Sequence, residues 1–115
     1  GSASWFAGGA REAVRSVMTR AAGTGGPIYV SVEIEWVHRT WRFYAIADHR
    51  MGMIDRAVYV RTPPADAAPG ALLVCPAASP DCGQATGWAA VETVTSLDGA
   101  KAFTVLQRAG AAAAR

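Results

Sequence analysis

The sequence predicts an α+β domain in which an N-terminal amphipathic helix packs on an antiparallel sheet of about five to six strands, formed by two hairpins. Three observations support this class. Apolar residues follow helical spacing before residue 22, apolar and polar residues alternate in two later segments, and Gly- and Pro-rich turns separate them. With 115 residues, 51% of them hydrophobic and 17% charged, the chain fits a single globular domain covering residues 1–115.

The first predicted element is a helix over residues 4–22. Its firm part is expected to begin near Ala10, because Gly8 and Gly9 weaken the first turn. The run GTGGP at 23–27 ends it. One face of the helix is apolar and consists of Ala10, Val14, Val17, Met18 and Ala21.

The stretch VSVEIEWVHRTWRFYAIAD, residues 30–48, predicts a β-hairpin with a loop at 37–40. One register would put the large apolar residues on the helix-facing side and pair opposite charges on the other side. The expected cross-strand neighbours are Trp36 with Trp41, Ile34 with Phe43, Glu35 with Arg42, and Glu33 with Tyr44.

The rest of the chain predicts further strands joined by turns. The alternation Ile54–Thr62 indicates a third strand, and the wholly apolar ALLVC at 71–75 indicates a buried one. A second hairpin over 88–107 would turn at Asp98-Gly99 and pair Val91 with Val105. The remaining segments are a turn at 49–53, a proline-rich loop at 63–70, and a frayed tail at 109–115.

Cys75 and Cys82 are the only two cysteines, and they flank a short loop that contains two prolines. We expect them to form a disulfide. An even cysteine count in a small chain is typical of secreted or periplasmic proteins, so the predicted localisation is extracytoplasmic.

The polar side of the first hairpin is the candidate site, and it comprises Glu33, Glu35, Arg42 and Tyr44. The leading hypothesis is a non-enzymatic domain that binds another protein or self-assembles through this side and through the loops 63–70 and 75–87. The alternative is a small secreted hydrolase or nuclease, because paired carboxylates near an arginine can divide acid and base work. Exposed charges that pair across strands without further function explain the same pattern.

Other site classes have little support in the sequence. His38 and His49 fall at opposite ends of the predicted second strand, and the cysteine spacing differs from that of zinc sites, so no metal is expected. No cofactor fingerprint or catalytic motif is present. Charge is spread along the chain rather than clustered, so no nucleic-acid partner is expected. No apolar run is long enough for a membrane span.

The order of the predicted elements leads to two further functional hypotheses. Trp5 precedes the firm part of the helix and suggests a truncated, more hydrophobic helix. Such a helix, followed by an antiparallel sheet and a cysteine loop, resembles the general plan of bacterial type IV pilins and pseudopilins, which implies an assembly role. Gly1-Ser2 resembles a cloning remnant, which leaves a signal peptide, a pilin-type membrane helix and a cytosolic start as alternatives for the natural N-terminus. A third possibility is a small-ligand carrier with a pocket between helix and sheet, lined by Val17, Met18, Trp36 and Phe43.

Overall fold

The computed structural model describes residues 10–34, 37–95 and 102–110. Within these residues the chain forms four helices and five strands. In chain order they are α1 Ala10–Ala21, β1 Ile28–Ser31, α2 Val37–Ala47, α3 Gly52–Arg56, β2 Ala57–Val60, β3 Leu72–Pro76, α4 Pro80–Gly83, β4 Trp88–Thr95 and β5 Ala102–Arg108.

The five strands form one mixed sheet in the order β2-β1-β3-β5-β4. Strand β1 runs parallel to both β2 and β3, whereas β5 runs antiparallel to both β3 and β4. The α+β class is therefore confirmed, but the prediction of a purely antiparallel sheet is wrong. Parallel neighbours require a crossover connection, and α2 with α3 supplies the one between β1 and β2.

The first predicted hairpin is wrong, because residues 37–47 form helix α2. Their buried side chains recur with helical spacing, although the β-branched and aromatic composition also suits a strand. Glu35 and Trp36, for which cross-strand contacts are expected, lie outside the described residues. The buried positions of α2 are Val37, Thr40, Trp41, Tyr44 and Ala45.

The later elements agree more closely with the sequence pattern. The predicted third strand at 54–62 is correct only for Ala57–Val60, since α3 occupies the residues before it. Strand β3 is buried from Leu72 to Cys75, as its apolar composition predicts. Residues 63–70 form a loop without helix or strand.

Strands β4 and β5 pair in antiparallel fashion, with a bulge between Ala90 and Glu92. The predicted register holds from Trp88 to Ala90, but beyond the bulge it is wrong by one residue. Val105 therefore pairs with Glu92 instead of Val91. A bulge adds one unpaired residue to one strand and so shifts the register that follows it. The expected turn at Asp98-Gly99 lies outside the described residues.

One face of the sheet carries the main core. The buried side chains of Val14, Val17 and Met18 in α1 share a cluster with Trp41 of α2 and with residues of β1, β3 and β5. Trp41 is fully buried, and its indole Nε1 donates a hydrogen bond of 2.8 Å to the carbonyl oxygen of Met53. Helix α2 is therefore held both by packing and by a buried polar contact.

Arg56 fixes the segment that follows α1. Its guanidinium donates to the carbonyl oxygens of Ala21 at 3.1 Å, Thr24 at 3.2 Å and Gly26 at 2.8 Å. Carbonyls beyond a helix C-terminus lack intrahelical partners, and a cation there also complements the helix dipole. The GTGGP run therefore has a structural role as the acceptor of this arginine.

The opposite face of the sheet carries a smaller cluster of Leu73, Cys75, Cys82 and Leu106. The sulfur atoms of Cys75 and Cys82 lie within disulfide distance, which confirms the predicted pairing. Helix α4 lies in the connection between β3 and β4, so the disulfide ties that connection to the strand it leaves.

Residues at the far end of the chain also differ from expectation. The predicted frayed tail began at residue 109, but the backbone N–H of Ala109 donates to the carbonyl oxygen of Gly87 at 2.8 Å. Residues 111–115 lie outside the described residues. The pilin resemblance rested on an antiparallel sheet after the first helix, and the mixed sheet removes that support.

Candidate functional site

The predicted polar surface of Glu33, Glu35, Arg42 and Tyr44 is not formed as one sheet face. Glu33 follows β1, whereas Arg42 and Tyr44 belong to α2. Arg42 is exposed and Tyr44 is buried, as expected for residues two apart on a helix, which point in different directions. Glu35 lies outside the described residues.

Glu33 belongs to a small polar cluster near the ends of β1 and β3. Its backbone N–H donates to the Ser31 hydroxyl at 3.1 Å, and its carboxylate accepts a hydrogen bond of 3.1 Å from the Ser79 hydroxyl. Ser79 is buried and also caps α4 by accepting from the N–H of Cys82 at 3.4 Å. Ser79 acts as the N-cap of α4, and Ser31 accepts a hydrogen bond typical of a turn. These contacts therefore have a structural explanation.

Tyr44 has a structural environment too. The Arg15 guanidinium lies 5.6 Å from its ring centroid and donates two hydrogen bonds, each of 2.9 Å, to the carboxylate of Asp48. Burial raises the pKa of the Tyr44 hydroxyl, and the positive charges of Arg11 and Arg15 oppose that shift. This arrangement joins α1 to α2 and leaves Tyr44 inside the contact.

Helix α2 presents a different surface to solvent. Four side chains spaced three or four residues apart lie on that side, so they are neighbours. Phe43 is 52% exposed and Ile46 is 45% exposed, whereas Trp41 on the opposite side is fully buried. We call this surface the outer face of α2, and it consists of Arg39, Arg42, Phe43 and Ile46.

The turn after α2 adds another apolar side chain. Met51 is 64% exposed and directly follows Arg50, whose guanidinium donates to the Thr19 hydroxyl of α1 at 3.3 Å. Three of the five large exposed hydrophobic side chains of the described residues therefore fall between residues 43 and 51. The other two are Val32 and Val58.

The segment 37–51, which carries the outer face, contains more basic than acidic residues. Residues 37–51 contain three arginines and one aspartate, which gives a formal charge of +2. Helix α2 itself has two arginines and no acidic residue. The carboxylate of Asp48 accepts two hydrogen bonds from the Arg15 guanidinium of α1.

Sequence reasoning found Arg42 but missed Phe43 and Ile46. The predicted hairpin register places Phe43 on the buried side and gives Ile46 no role in a site. Helical spacing around Trp41 was the available signal, because Val37, Trp41 and Tyr44 leave Phe43 and Ile46 on the other side.

The other predicted contact regions, the segments 63–70 and 75–87, are held by side-chain hydrogen bonds to backbone carbonyls and by the disulfide. In the loop 63–70, the Trp88 indole donates to the carbonyl oxygen of Pro64 at 3.2 Å, and the Arg108 guanidinium donates to that of Ala65 at 2.7 Å. In the segment 75–87, the disulfide and α4 fix the chain. Both segments are anchored on the sheet.

A pocket between helix and sheet does not fit the arrangement of its predicted lining. Val17 and Met18 are fully buried in the packed core, and Phe43 points to solvent. Trp36 lies outside the described residues. Among the described residues, one open groove lies beside α1 and a depression lies around Arg56. The groove is lined by Arg11, Glu12, Arg15, Ser16, Thr19, Arg20 and Glu92.

The described residues contain no group of three or more His, Cys, Asp or Glu side chains placed to hold a metal ion. His38 instead lies against Tyr59, with ring centroids 3.8 Å apart. No helix in the described part of the chain has both the length and the apolarity needed to cross a bilayer. Comparisons with protein-family models, curated proteins and solved structures give no match to this chain.

Proposed function

We propose that this chain is a non-enzymatic protein-binding domain whose contact surface is the outer face of α2. The observation that carries the proposal is the pair of half-exposed apolar side chains, Phe43 and Ile46, on a helix whose other side is buried. Scattered exposed apolar residues are ordinary, but here Met51 extends the same short segment. Protein interfaces are enriched in aromatic, Met and Arg side chains.

Rigidity supports the same proposal. Trp41 anchors α2 in the core, and Arg15 with Asp48 joins it to α1. A surface on an element that is already ordered loses little conformational entropy on binding. We further propose an extracytoplasmic location, supported by the Cys75–Cys82 pair, since disulfides persist mainly in oxidising compartments.

The alternative of a hydrolase or nuclease has weaker support. It requires Glu33, Glu35 and Arg42 on one surface, and Arg42 lies on a helix rather than on the strand opposite Glu33. The Glu33 carboxylate accepts a hydrogen bond from Ser79, which also caps α4. No observation on the described residues favours turnover over these structural contacts.

The test is site-specific photo-crosslinking in the cells that produce this protein. A crosslinking residue at Ile46 should capture a partner protein, whereas one at exposed Val58 on β2 should not. The captured protein is then purified, and its affinity is measured for the wild type, Phe43→Ser with Ile46→Ser, and the control Val58→Ser. We expect the double variant to bind at least about tenfold more weakly, because two central contacts are lost.

Two results would contradict the proposal. One is equal capture from Ile46 and Val58, and the other is unchanged affinity in the double variant. Circular dichroism and urea unfolding check that the double variant stays folded, which is expected because both side chains are about half exposed.

A further inference from the structure

We propose that β4 pairs with β4 of a second copy of this chain, so that two sheets join edge to edge about a two-fold axis. Among the described strands, β4 lies at one edge of the sheet and β2 at the other. An edge strand presents backbone N–H and C=O groups that can pair with another strand. This contact is separate from the outer face of α2 and goes beyond the proposed function.

The hydrogen bonds of β5 show which backbone groups of β4 are available. The N–H of Ala77, directly after β3, donates to the carbonyl oxygen of Ala102, so Ala102 bonds on the β3 side of β5. Successive residues of a strand bond on alternate sides, so the next residue of β5 bonds to its partner Val94 in β4. Thr93 and Thr95, on either side of Val94, therefore direct their N–H and C=O groups away from β5.

Strand β4 has few of the features that usually prevent edge pairing. Many natural edge strands are short or carry Lys or Pro. Strand β2 has four residues and is soon followed by the prolines at 63–64, whereas β4 has eight residues without Lys, Arg or Pro. The one charged side chain of β4, that of Glu92, accepts hydrogen bonds from Ser16 and Arg20 of α1.

The last part of β4 fits a copy of itself. The bulge bends the strand just before Glu92, so regular pairing is confined to Glu92–Thr95. A two-fold axis beside Val94 puts Thr93 opposite Thr95 of the second copy, and each such pair exchanges backbone hydrogen bonds. Both threonines are exposed, and Thr–Thr neighbours across strands stabilise a sheet.

One stripe of α1 lies beside the β4 edge. Glu12, Ser16 and Arg20 recur at intervals of four residues, so they follow one side of the helix. Ser16 and Arg20 donate to the Glu92 carboxylate at 2.7 and 3.1 Å, which places this stripe on the β4 side. Arg15 belongs to a neighbouring stripe and bonds to the residue that follows α2.

The charges of this stripe complement those of a second copy. Glu12 lies in the first turn of α1 and Arg20 in the last. A two-fold axis perpendicular to the sheet sets the two α1 helices antiparallel on the same face, so the acidic end of each stripe is turned toward the basic end of the other. Arg20 uses Nε and one terminal nitrogen for Glu92, which leaves its other terminal nitrogen for this attraction. A strand from an unrelated protein has no such match, so the charges favour a second copy.

Sedimentation velocity of the whole folded domain is the first experiment. We expect only monomer and dimer between about 1 and about 500 µM, with a dissociation constant on the order of 10–100 µM, because one strand pair is a small interface. A pure monomer over this range would overturn the proposal. Species larger than the dimer would also overturn it, because a two-fold contact uses one edge of each copy and then closes.

Proline substitution tests the strand pairing directly. Thr93→Pro removes an N–H that β5 does not use, so each sheet should survive while dimerisation weakens at least about tenfold. Ala90→Pro is the matched control, because Ala90 also lies between hydrogen-bonded positions but on the other side of the bulge, and it should leave the dimer unchanged. If circular dichroism shows that a proline variant is unfolded, Thr93→Lys and its control Ala90→Lys replace the pair, since lysine also opposes edge pairing.

Val94→Cys tests the register. The axis lies beside Val94, so the α-carbons of this residue in the two copies fall within the range that a disulfide requires. Oxidation should link the Val94→Cys protein into dimers and leave Ala90→Cys unlinked, while mass measurement checks that Cys75 and Cys82 remain bonded to each other. Dimers that survive the Thr93 substitution, or equal linkage from residues 90 and 94, would reject this interface and leave the proposed function untouched.

Discussion

Gly87 adopts a φ of +84° in the turn that enters β4, and the guanidinium of Arg108 occupies the place where a β-carbon would lie. Arg108 is fixed there because it also donates to the carbonyl oxygens of Thr86 and Ala65. Gly87→Ala should therefore lower the free energy of unfolding by about 1–3 kcal/mol, through backbone strain and displacement of that side chain. Urea unfolding followed by tryptophan fluorescence measures the change.

Gly52→Ala is the matched control for this prediction. Gly52 begins α3, and a β-carbon added there meets no atom within 4 Å. Its φ is not positive, so alanine should leave stability unchanged or raise it by up to about 1 kcal/mol. Equal effects at Gly87 and Gly52 would show that the Arg108 contact and the positive φ do not constrain the turn.

His49 illustrates a residue that the sequence does not mark. It has a φ of 55° and ends α2, with its N–H donating to the carbonyl oxygen of Ile46 and the N–H of Arg50 donating to that of Ala45. This is the hydrogen-bond pattern of a Schellman motif, in which glycine is the usual residue at the position of His49. With histidine there instead of glycine, the sequence predicts a turn at 49–53 but does not mark it as the end of a helix.

At the scale of elements, Arg56 joins α3 to the end of α1 and to the glycine-rich segment after it. Arg56→Lys should lower the free energy of unfolding by about 1–2 kcal/mol, because three different guanidinium nitrogens contact the carbonyl oxygens of Ala21, Thr24 and Gly26, and a single ammonium nitrogen does not reproduce that spread. The expected loss is at the low end for charged hydrogen bonds, since two of the three contacts are exposed.

The control for Arg56 is Arg61→Lys, at an exposed position, which should change stability by no more than about 0.5 kcal/mol. Chemical denaturation of both variants under the same conditions gives the comparison. If Arg56→Lys is as mild as the control, the guanidinium contacts contribute nothing measurable to holding α3 against α1.

Helix α2 carries the proposed contact surface, and its sequence is compatible with either a helix or a strand. Residues Trp41, Phe43 and Ala45 alternate as in a strand, whereas Val37, Trp41, Tyr44 and Ala45 follow helical spacing. Aromatic and β-branched residues favour strands weakly, and tertiary packing overrides such preferences. Because this segment is helical, Phe43 lies at the surface instead of in the core, where the predicted hairpin placed it.

At the scale of the whole molecule, the disulfide links β3 to the connection that leads into β4. The two cysteines are seven residues apart, so their bond closes a small loop. Cys75→Ala with Cys82→Ala should lower the free energy of unfolding by about 2–3 kcal/mol, mainly because the unfolded chain gains conformational entropy when the loop is no longer closed. Thermal and urea unfolding of the double variant measure this loss.

Mass measurement after alkylation without reductant supplies the independent check. Native protein should gain no alkyl groups, and reduced protein should gain two, one on each cysteine. Two freely alkylated thiols in the native protein would reject the disulfide. They would also remove the main support for an extracytoplasmic location.

Local sequence patterns are sufficient to predict the elements that are compatible with a single secondary structure. The helix from Ala10 to Ala21, the buried strand β3, the loop 63–70 and the cysteine pair all follow from composition and spacing over a few residues. Arg42, which belongs to the outer face of α2, is also among the site residues predicted from the sequence. These features depend on periodicity, prolines and glycines, which act within a single element.

Three features could not be predicted from local patterns. Residues 37–47 are helical, β1 lies between two parallel neighbours, and Phe43 faces solvent. Each of these depends on contacts between segments far apart in the chain. Trp41 fills the core beside α1, and that packing selects the helical periodicity over the equally good strand alternation. A short aromatic segment carries both patterns, so the free energy of long-range burial makes the choice.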